Sequence, residues 1–529
     1  MASETEYGIL VPGERYPNVI AASTKVIEAM ADADGTMVGW DYYGEDPLND
    51  MRGHRYQRAS VDPSLLTDNP DRLAPSGVRE LGEAELNSLR APKPRAFVTH
   101  NGGRIYVDHA HPEYSAPECA SVADMVRFDR AGELLARKAI DRLESEIVLF
   151  KNNTDGKGAS YGAHENYSVT RSLPFSQLSA ALIPFMVVRP LICGSGKVGL
   201  GQRSERPGFQ ISQRADFVEN DIGLETTFNR PIVNTRDEPH ADAKKWRRLH
   251  VIGGDANLFE CSAYLRFGAT HAFLWLLENA YPVSELEALA IAKDPVEETW
   301  AVSHDLEFKH RIATRGAGEL SALDLHQRYI DLILAALRRA ESGDFGEQSR
   351  EDLSELQHIV EIWAETVSGL AKDPLSMAGR VEWVGKYRLL EGMRMRHSSG
   401  WDDPLLAAMD LQWADLRPEK SLVAKLRSAG QVQRLFTESE TAAALNTPPA
   451  GTRALIRARA VRKYPQRLIS ASWGTLVFEN GNGRLVRANM GDPLTTAAGG
   501  TDSEPLSIRL PDIDQSLKEL TKEGNEQRN

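Results

Sequence analysis

The 529-residue chain carries 41% hydrophobic and 26% charged side chains, ordinary globular values with room for one large core and a smaller unit. Its net charge of −13 argues against nonspecific binding to nucleic acid or to an anionic membrane surface, leaving only a local basic groove. Cys119, Cys193 and Cys261 lack CxxC spacing, so neither a disulfide framework nor a zinc signature is present, as suits a reducing cytoplasm, and each reads as a buried small hydrophobe.

The first ten residues contain Glu4 and Glu6 and no basic run, so no signal peptide is expected. Residues 5–10 read as a first strand and residues 18–32 as a helix. From about 46 to 93 the periodicity dissolves into Asp, Pro, Ser, Arg and Gly, the composition of a long surface insertion. Asn101-Gly102-Gly103 is a turn signal, and Arg104 to Asp108 then alternates as a strand, with Ile105 and Val107 on one face and Tyr106 and Asp108 on the other. An amphipathic helix is expected over 123–143 after Ser121, and a short strand over 148–151 leads into the polar loop 152–167. Residues 176–193 read as buried and partly helical. Their apolar run is broken by Pro184, Arg189 and Pro190 and is too short to span a bilayer. Strand and loop alternate over 231–255, a helix covers 257–280, and 320–430 is mostly helical. At Asn446-Thr447-Pro448-Pro449 the composition shifts. A mixed unit follows, with a strand at 472–479, a turn at Asn480-Gly481 and a charged, frayed end over 518–529. This predicts an α+β fold, a mainly antiparallel sheet backed by helices, divided as 1–430 and 431–529.

Several groups have chemical potential. Residues 106–118 hold three carboxylates, two imidazoles and two tyrosines, with Asp108 on a strand; read alone, this is also what a solvated edge strand shows. Glu4 and Glu6, two apart on a strand, present both carboxylates to one side, about 6–7 Å apart. That spacing suits two neighbouring metal ions, although an isolated ExE pair is more often solvated surface. In the glycine-bearing stretch 151–167, His164 is a ligand or a structural histidine. Arg248 and His250 share a strand face, and Arg214 and the arginines of 234–251 suit phosphate oxygens or structural ion pairs. Gly194-Ser195-Gly196-Lys197 lacks the spacing and hydroxyl of a phosphate-binding loop. No HExxH motif is present. Acids for metals and arginines for phosphates together describe a magnesium–nucleotide site.

The segments Glu4-Thr5-Glu6-Tyr7-Gly8, 106–118, 151–167 and 234–251, with Asn446-Thr447-Pro448-Pro449 and Ala471-Ser472-Trp473, resemble the Pup ligase and depupylase family along nearly the whole chain. The resemblance implies a glutamine-synthetase-like fold, a curved antiparallel sheet with helices behind it and a small C-terminal domain. It also implies ATP and Mg²⁺ as cofactors and Pup and pupylated proteins as partners, in the cytoplasm, with no oligomer implied. Within the family, Asp108-His109-Ala110-His111-Pro112, Asp155 to Ser160 and the insertion over about 52–96 resemble the depupylase branch. That branch cleaves the isopeptide bond between Pup and a substrate lysine and deamidates the C-terminal glutamine of Pup, needing bound ATP but not its energy. The alternatives are a Pup–protein ligase, another carboxylate–amine ligase or a non-catalytic Pup-binding protein. By the resemblance, Asp108 is the catalytic aspartate, as nucleophile or as base for water. Glu4, Glu6, Tyr106, Glu113, His164 and His250 surround the magnesium ions, Arg214 and Arg236 lie near phosphate, and Arg104 and Trp473 lie near the nucleotide, with Arg453 as a further candidate. Where the family has several residues and a Gly-Thr before the first Glu, this sequence has Met1-Ala2-Ser3.

Overall fold

The computed structural model describes residues 1–57, 59, 78–82, 95–143, 146–345, 349–479 and 484–495. Most of the insertion expected over 52–96, the turn at 480–481 and the charged end over 518–529 lie outside the described residues. An eleven-stranded sheet organises the molecule. Its strands run in the order Trp246–Val251, Ala163–Thr170, Ala2–Glu6, His111–Ser115, Arg104–Asp108, Ala96–Val98, Gly39–Trp40, Leu468–Ala471, Thr475–Glu479, Leu485–Asn489 and Val78–Glu80. Every pairing in it is antiparallel except the parallel junction of Gly39–Trp40 with Leu468–Ala471. The α+β, glutamine-synthetase-like arrangement expected from the sequence is present: one large mixed sheet with helices behind it.

The helices form for local reasons. Ser321 and Asp324 make a reciprocal capping box at the start of Ala322–Glu341, and its apolar positions Leu325, Tyr329, Ile333 and Leu337 recur at helical spacing and are buried. Glu260–Asn279 is buried nearly all round, because it lies between the sheet and the outer helices. Phe185 stacks on Phe273 at 4.5 Å and meets Tyr329 and Trp363 edge-on, so aromatic contact joins four helices at the centre of the core. No helix among the described residues is long and apolar enough to cross a membrane.

A second, smaller core lies across the parallel junction. Val38, Trp40, Ala96 and Val98 pack there with Ile456, Leu468, Leu476, Phe478 and Val486. Arg487 clasps Asp41 through contacts of 2.9–3.1 Å in the same place. The sheet therefore runs unbroken across the 430/431 boundary drawn from the sequence.

The underside of the first strand is polar. Ser3 and Thr5 donate to Asp129 on the Val122–Ile140 helix, at 3.4 and 3.2 Å. Lys151, fully buried, donates to Asp129 at 2.5 Å and to Glu133 at 2.8 Å. Burial pushes the Asp129 carboxyl up, but Lys151 and Arg266 outweigh it and hold the group below its usual range. Removing the lysine strands two carboxylates in the core. Lys151→Met should destabilise the protein by about 3–5 kcal/mol, read as a fall in melting temperature; an unchanged melting temperature would show that Arg130 and Arg266 suffice.

Candidate active site

Strand register builds the site. Glu4 stands opposite His164, and Glu6 opposite Glu113, which in turn faces Tyr106. His250 faces Asn166, two residues along the strand from His164 and on the same face. Because side chains alternate, the faces bearing Ser3 and Thr5, Glu165 and Tyr167, and Leu249 and Val251 turn to the core while these polar groups line the other side. Two clusters result: Glu4, His164 and His250, and Glu6, Asp108 and Glu113. Within each, the potential ligand atoms lie within 4.8 Å of one another.

The clusters differ electrostatically. Glu4 is drawn on from several sides: Arg248 Nη2 at 3.0 Å and Asn166 Nδ2 at 3.1 Å on one oxygen, and His164 Nδ1 at 3.4 Å from the other. Burial pushes its carboxyl up, yet Arg248 and the two histidines prevail and hold it well below the usual range. Burial and the neighbouring Arg248 hold His250 well below the usual imidazole range, so it is neutral. Its Nδ1 lies 2.9 Å from Asn166 Oδ1 and 3.2 Å from Arg248 Nη2, and the tautomer that donates to Asn166 leaves the Nε2 lone pair available. Glu113 is the opposite case. Burial, then the charges of Asp108, Glu4 and Glu6, push its carboxyl well above the usual range, and Tyr106 donates to it at 2.5 Å. Burial, then Glu113, Asp108 and Glu4, push the Tyr106 phenol well above its usual range, so it stays protonated. Burial raises Asp108, but the neighbouring His109, 3.1 Å away, and His164 hold it below the usual range and ionised.

These donor sets fit divalent cations. Three carboxylates suit a hard ion such as Mg²⁺, whose charge would relieve the repulsion around Glu113; the imidazole-bearing set is softer and also suits Mn²⁺. Beside Glu4 opens a cavity of about 790 Å³, within the range of small-molecule sites, lined among others by Glu45, Glu238, His240, Arg453, Trp473 and Asp492. A narrower pocket that shares His240, Arg453 and Trp473 links it to Glu4.

The nominated residues are not all alike. Glu4, Glu6, Asp108, Glu113, His164 and His250 come together, while Tyr106 supports Glu113 as a hydrogen-bond donor. Arg104 is buried among the rings of Trp40, Tyr42 and Tyr106, 4.5, 5.2 and 3.8 Å from their centroids, and Trp473 meets Trp40 edge-on at 4.9 Å. Arg453 lines the cavity, but its guanidinium is engaged by Glu118 and by the carbonyls of His240 and Gly491. Arg214 is buried, and its guanidinium donates to Ser160 Oγ, Tyr161 O and Ile252 O. Burial, then Arg230, pushes it down to about 9. Arg236, half-buried with its Nε buried and unpartnered, is lowered by desolvation and stands near Asp108 and Glu4. Sequence reading did not place Asn166, Arg230 or Glu45. Asn166 carried a signal, because it sits two residues beyond His164 on the same strand face; Arg230 and Glu45 carried none.

Glu113 yields a test with a definite sign. Its folded-state affinity for a proton exceeds that of the unfolded chain, so its favourable contribution is complete below the unfolded value, about pH 4, and is lost as pH rises toward the folded one. Glu113→Gln should therefore raise the melting temperature in chelator at neutral pH, with the gain vanishing toward pH 4, and shrink the further increase given by Mg²⁺. A lowered melting temperature in chelator at pH 7 would refute this.

The chain was compared with known proteins. Residues 1–477 match the family described as Pup-ligase protein. The Pup deamidase/depupylase of Mycolicibacterium smegmatis is 41% identical over 503 residues, covering 93% of this chain and 94% of that protein. The depupylase of Acidothermus cellulolyticus is 39% identical, again over 93% and 94%. Among solved structures, the ligase PafA in complex with Pup aligns at a TM-score of 0.73 and 26% identity, covering 98% of this chain and 92% of that one. The Pup ligase PafA in complex with ADP aligns at 0.70 and 29%, covering 88% and 99%. The chain thus belongs to the Pup-ligase protein family.

Proposed function

We propose that the protein is a depupylase and Pup deamidase. In this reading it hydrolyses the isopeptide bond between Pup and a substrate lysine, and the side-chain amide of a C-terminal glutamine on Pup, with ATP and Mg²⁺ bound but not consumed in stoichiometric amounts. The observation that carries the reading is Asp108: an ionised carboxylate, partly exposed, at the end of a rigid strand, within 4.8 Å of the Glu6 and Glu113 ligand atoms. The relatives named Pup deamidase/depupylase, about 40% identical, point the same way, and the ADP-bound ligase supports a nucleotide in the large cavity.

Hydrolysis adds water across the amide: oxygen joins the carbonyl carbon, the C–N bond breaks, and the nitrogen leaves with a proton as ammonia or lysine amine. Asp108 either attacks that carbon or takes the proton of the attacking water, and both routes need the ionised form that His109 and His164 maintain. A divalent cation held by Glu6 and Glu113 would supply positive charge where the carbonyl oxygen becomes anionic. Glu4, His164 and His250 would hold a second ion toward the nucleotide phosphates, with Arg236 nearby. Trp473, Arg104 and the cavity rim would hold the rest of the nucleotide.

The competing reading is ligation, because both aligned structures are ligases. Incubation with ATP, Mg²⁺ and either glutamine-ended Pup or a Pup conjugate separates the two by mass: loss of ammonia or release of Pup supports hydrolysis, whereas new conjugates with equimolar ADP support ligation. Asp108→Asn should lower cleavage by at least about a thousandfold while leaving ATP affinity within about threefold. Full activity in this variant would remove Asp108 from the chemistry.

A further inference from the structure

The segment Leu224 to Arg230 arches from the strand Asn220–Gly223 to the strand Pro231–Asn234 and reaches His109 in the turn that follows Asp108. Thr227 Oγ1 lies 3.5 Å from His109 Nε2, the imidazole whose other nitrogen pairs with Asp108. Asn234 Nδ2 fixes the arch by donating to Leu224 O at 3.0 Å and to Glu225 O at 3.2 Å. At the end of the arch, Arg230 donates from Nε to Thr226 O at 3.1 Å and from Nη2 to Ser160 O at 3.5 Å, and its guanidinium stands 5.7 Å from the Phe217 ring.

These contacts leave a positive charge without a partner. Among the described residues, neither the Arg230 nor the Arg214 guanidinium has a carboxylate within 4.0 Å, although the Arg214 backbone N–H donates to Asp255 Oδ1 at 3.3 Å, and Ser160 ties both guanidiniums to one place. Arg214 is buried with its Nε unpartnered. The two cations repel one another, and burial and that repulsion lower the affinity of Arg214 for its proton, so the pair is built to receive an anion. The pair stands on the Glu6 side of the site, whereas the nucleotide cavity opens on the Glu4 side and neither arginine lines it.

Resting on the depupylase reading, the substrate supplies a matching anion. Deamidation of a C-terminal glutamine acts on the side-chain amide and leaves the α-carboxylate free, and an isopeptide through the same side-chain carbonyl leaves the same carboxylate. We propose that Arg230, beside Arg214, binds the free α-carboxylate of Pup's last residue and so positions the scissile side-chain amide over Asp108. Arg230 is a positioning and specificity residue. It selects the chain-terminal residue from the internal glutamines and glutamates of any polypeptide, which lack that carboxylate.

The test uses full-length protein with ATP and Mg²⁺, and two substrates: Pup ending in glutamine with a free acid, and the same Pup with an α-carboxamide. Wild type should favour the free acid by about 30-fold in kcat/KM. Arg230→Met should lose a similar factor on the free acid, mainly through KM, discriminate between the two by less than about threefold, and bind nucleotide as wild type does. Arg230→Lys should recover part of the preference. Undiminished discrimination in Arg230→Met overturns the assignment, as does weakened nucleotide binding with discrimination intact, which would make Arg230 a phosphate contact. A wild type that processes neither substrate refutes the depupylase reading itself, and the assignment with it.

Discussion

One buried carboxylate sets the geometry on which the site depends. Asp129 sits beneath the first strand and takes the hydroxyls of Ser3 and Thr5, so alternate residues of a five-residue strand are tied to the helix layer. With those two directed inward, Glu4 and Glu6 have one remaining direction, outward over the sheet. An isolated carboxylate in the core would be costly, and Lys151 offsets that cost from the strand end that begins the loop leading to His164. The same ion pair therefore anchors both the strand bearing Glu4 and Glu6 and the approach to the opposing histidine strand.

Above the sheet, charge is left unbalanced on purpose-built ground. Glu113 is crowded by three other acids, while Arg214, Arg230 and Arg236 lack close acidic partners among the described residues. Elsewhere in the core the opposite holds: Arg189 meets Glu165 at 2.8 Å, and Arg487 meets Asp41. Acids and bases left without ion pairs so close together above the sheet store electrostatic free energy there for cations and anions to release.

The sequence revealed the strands and their faces well, because alternation is a local property. Ile105 and Val107 were expected opposite Tyr106 and Asp108, and Ile105 is buried in the main core while Tyr106 reaches Glu113. Shared faces along one strand were also legible, as for Arg248 and His250. Pairing between strands was not: that Glu4 meets His164 and Glu6 meets Glu113 depends on register between segments over 100 residues apart, which no local pattern encodes. The resemblance to a known family identified the ligands without explaining why they meet. Arg230 escaped notice because an arginine before a short strand looks like any surface cation, and its meaning rests on what surrounds it.

The parallel junction between Gly39–Trp40 and Leu468–Ala471 has a consequence in time. The large cavity takes Tyr43, Glu45 and Asp46 from near the start of the chain and Trp473, Asn489 and Asp492 from more than 400 residues later. On the ribosome, most of the chain can emerge and collapse before either wall meets the other. Contacts of such long sequence separation form slowly, and any nucleotide that bridges them favours the joined state by mass action. A bound nucleotide would thereby favour the late joining of Leu468–Ala471 and the strands that follow it to a sheet begun by the first strands.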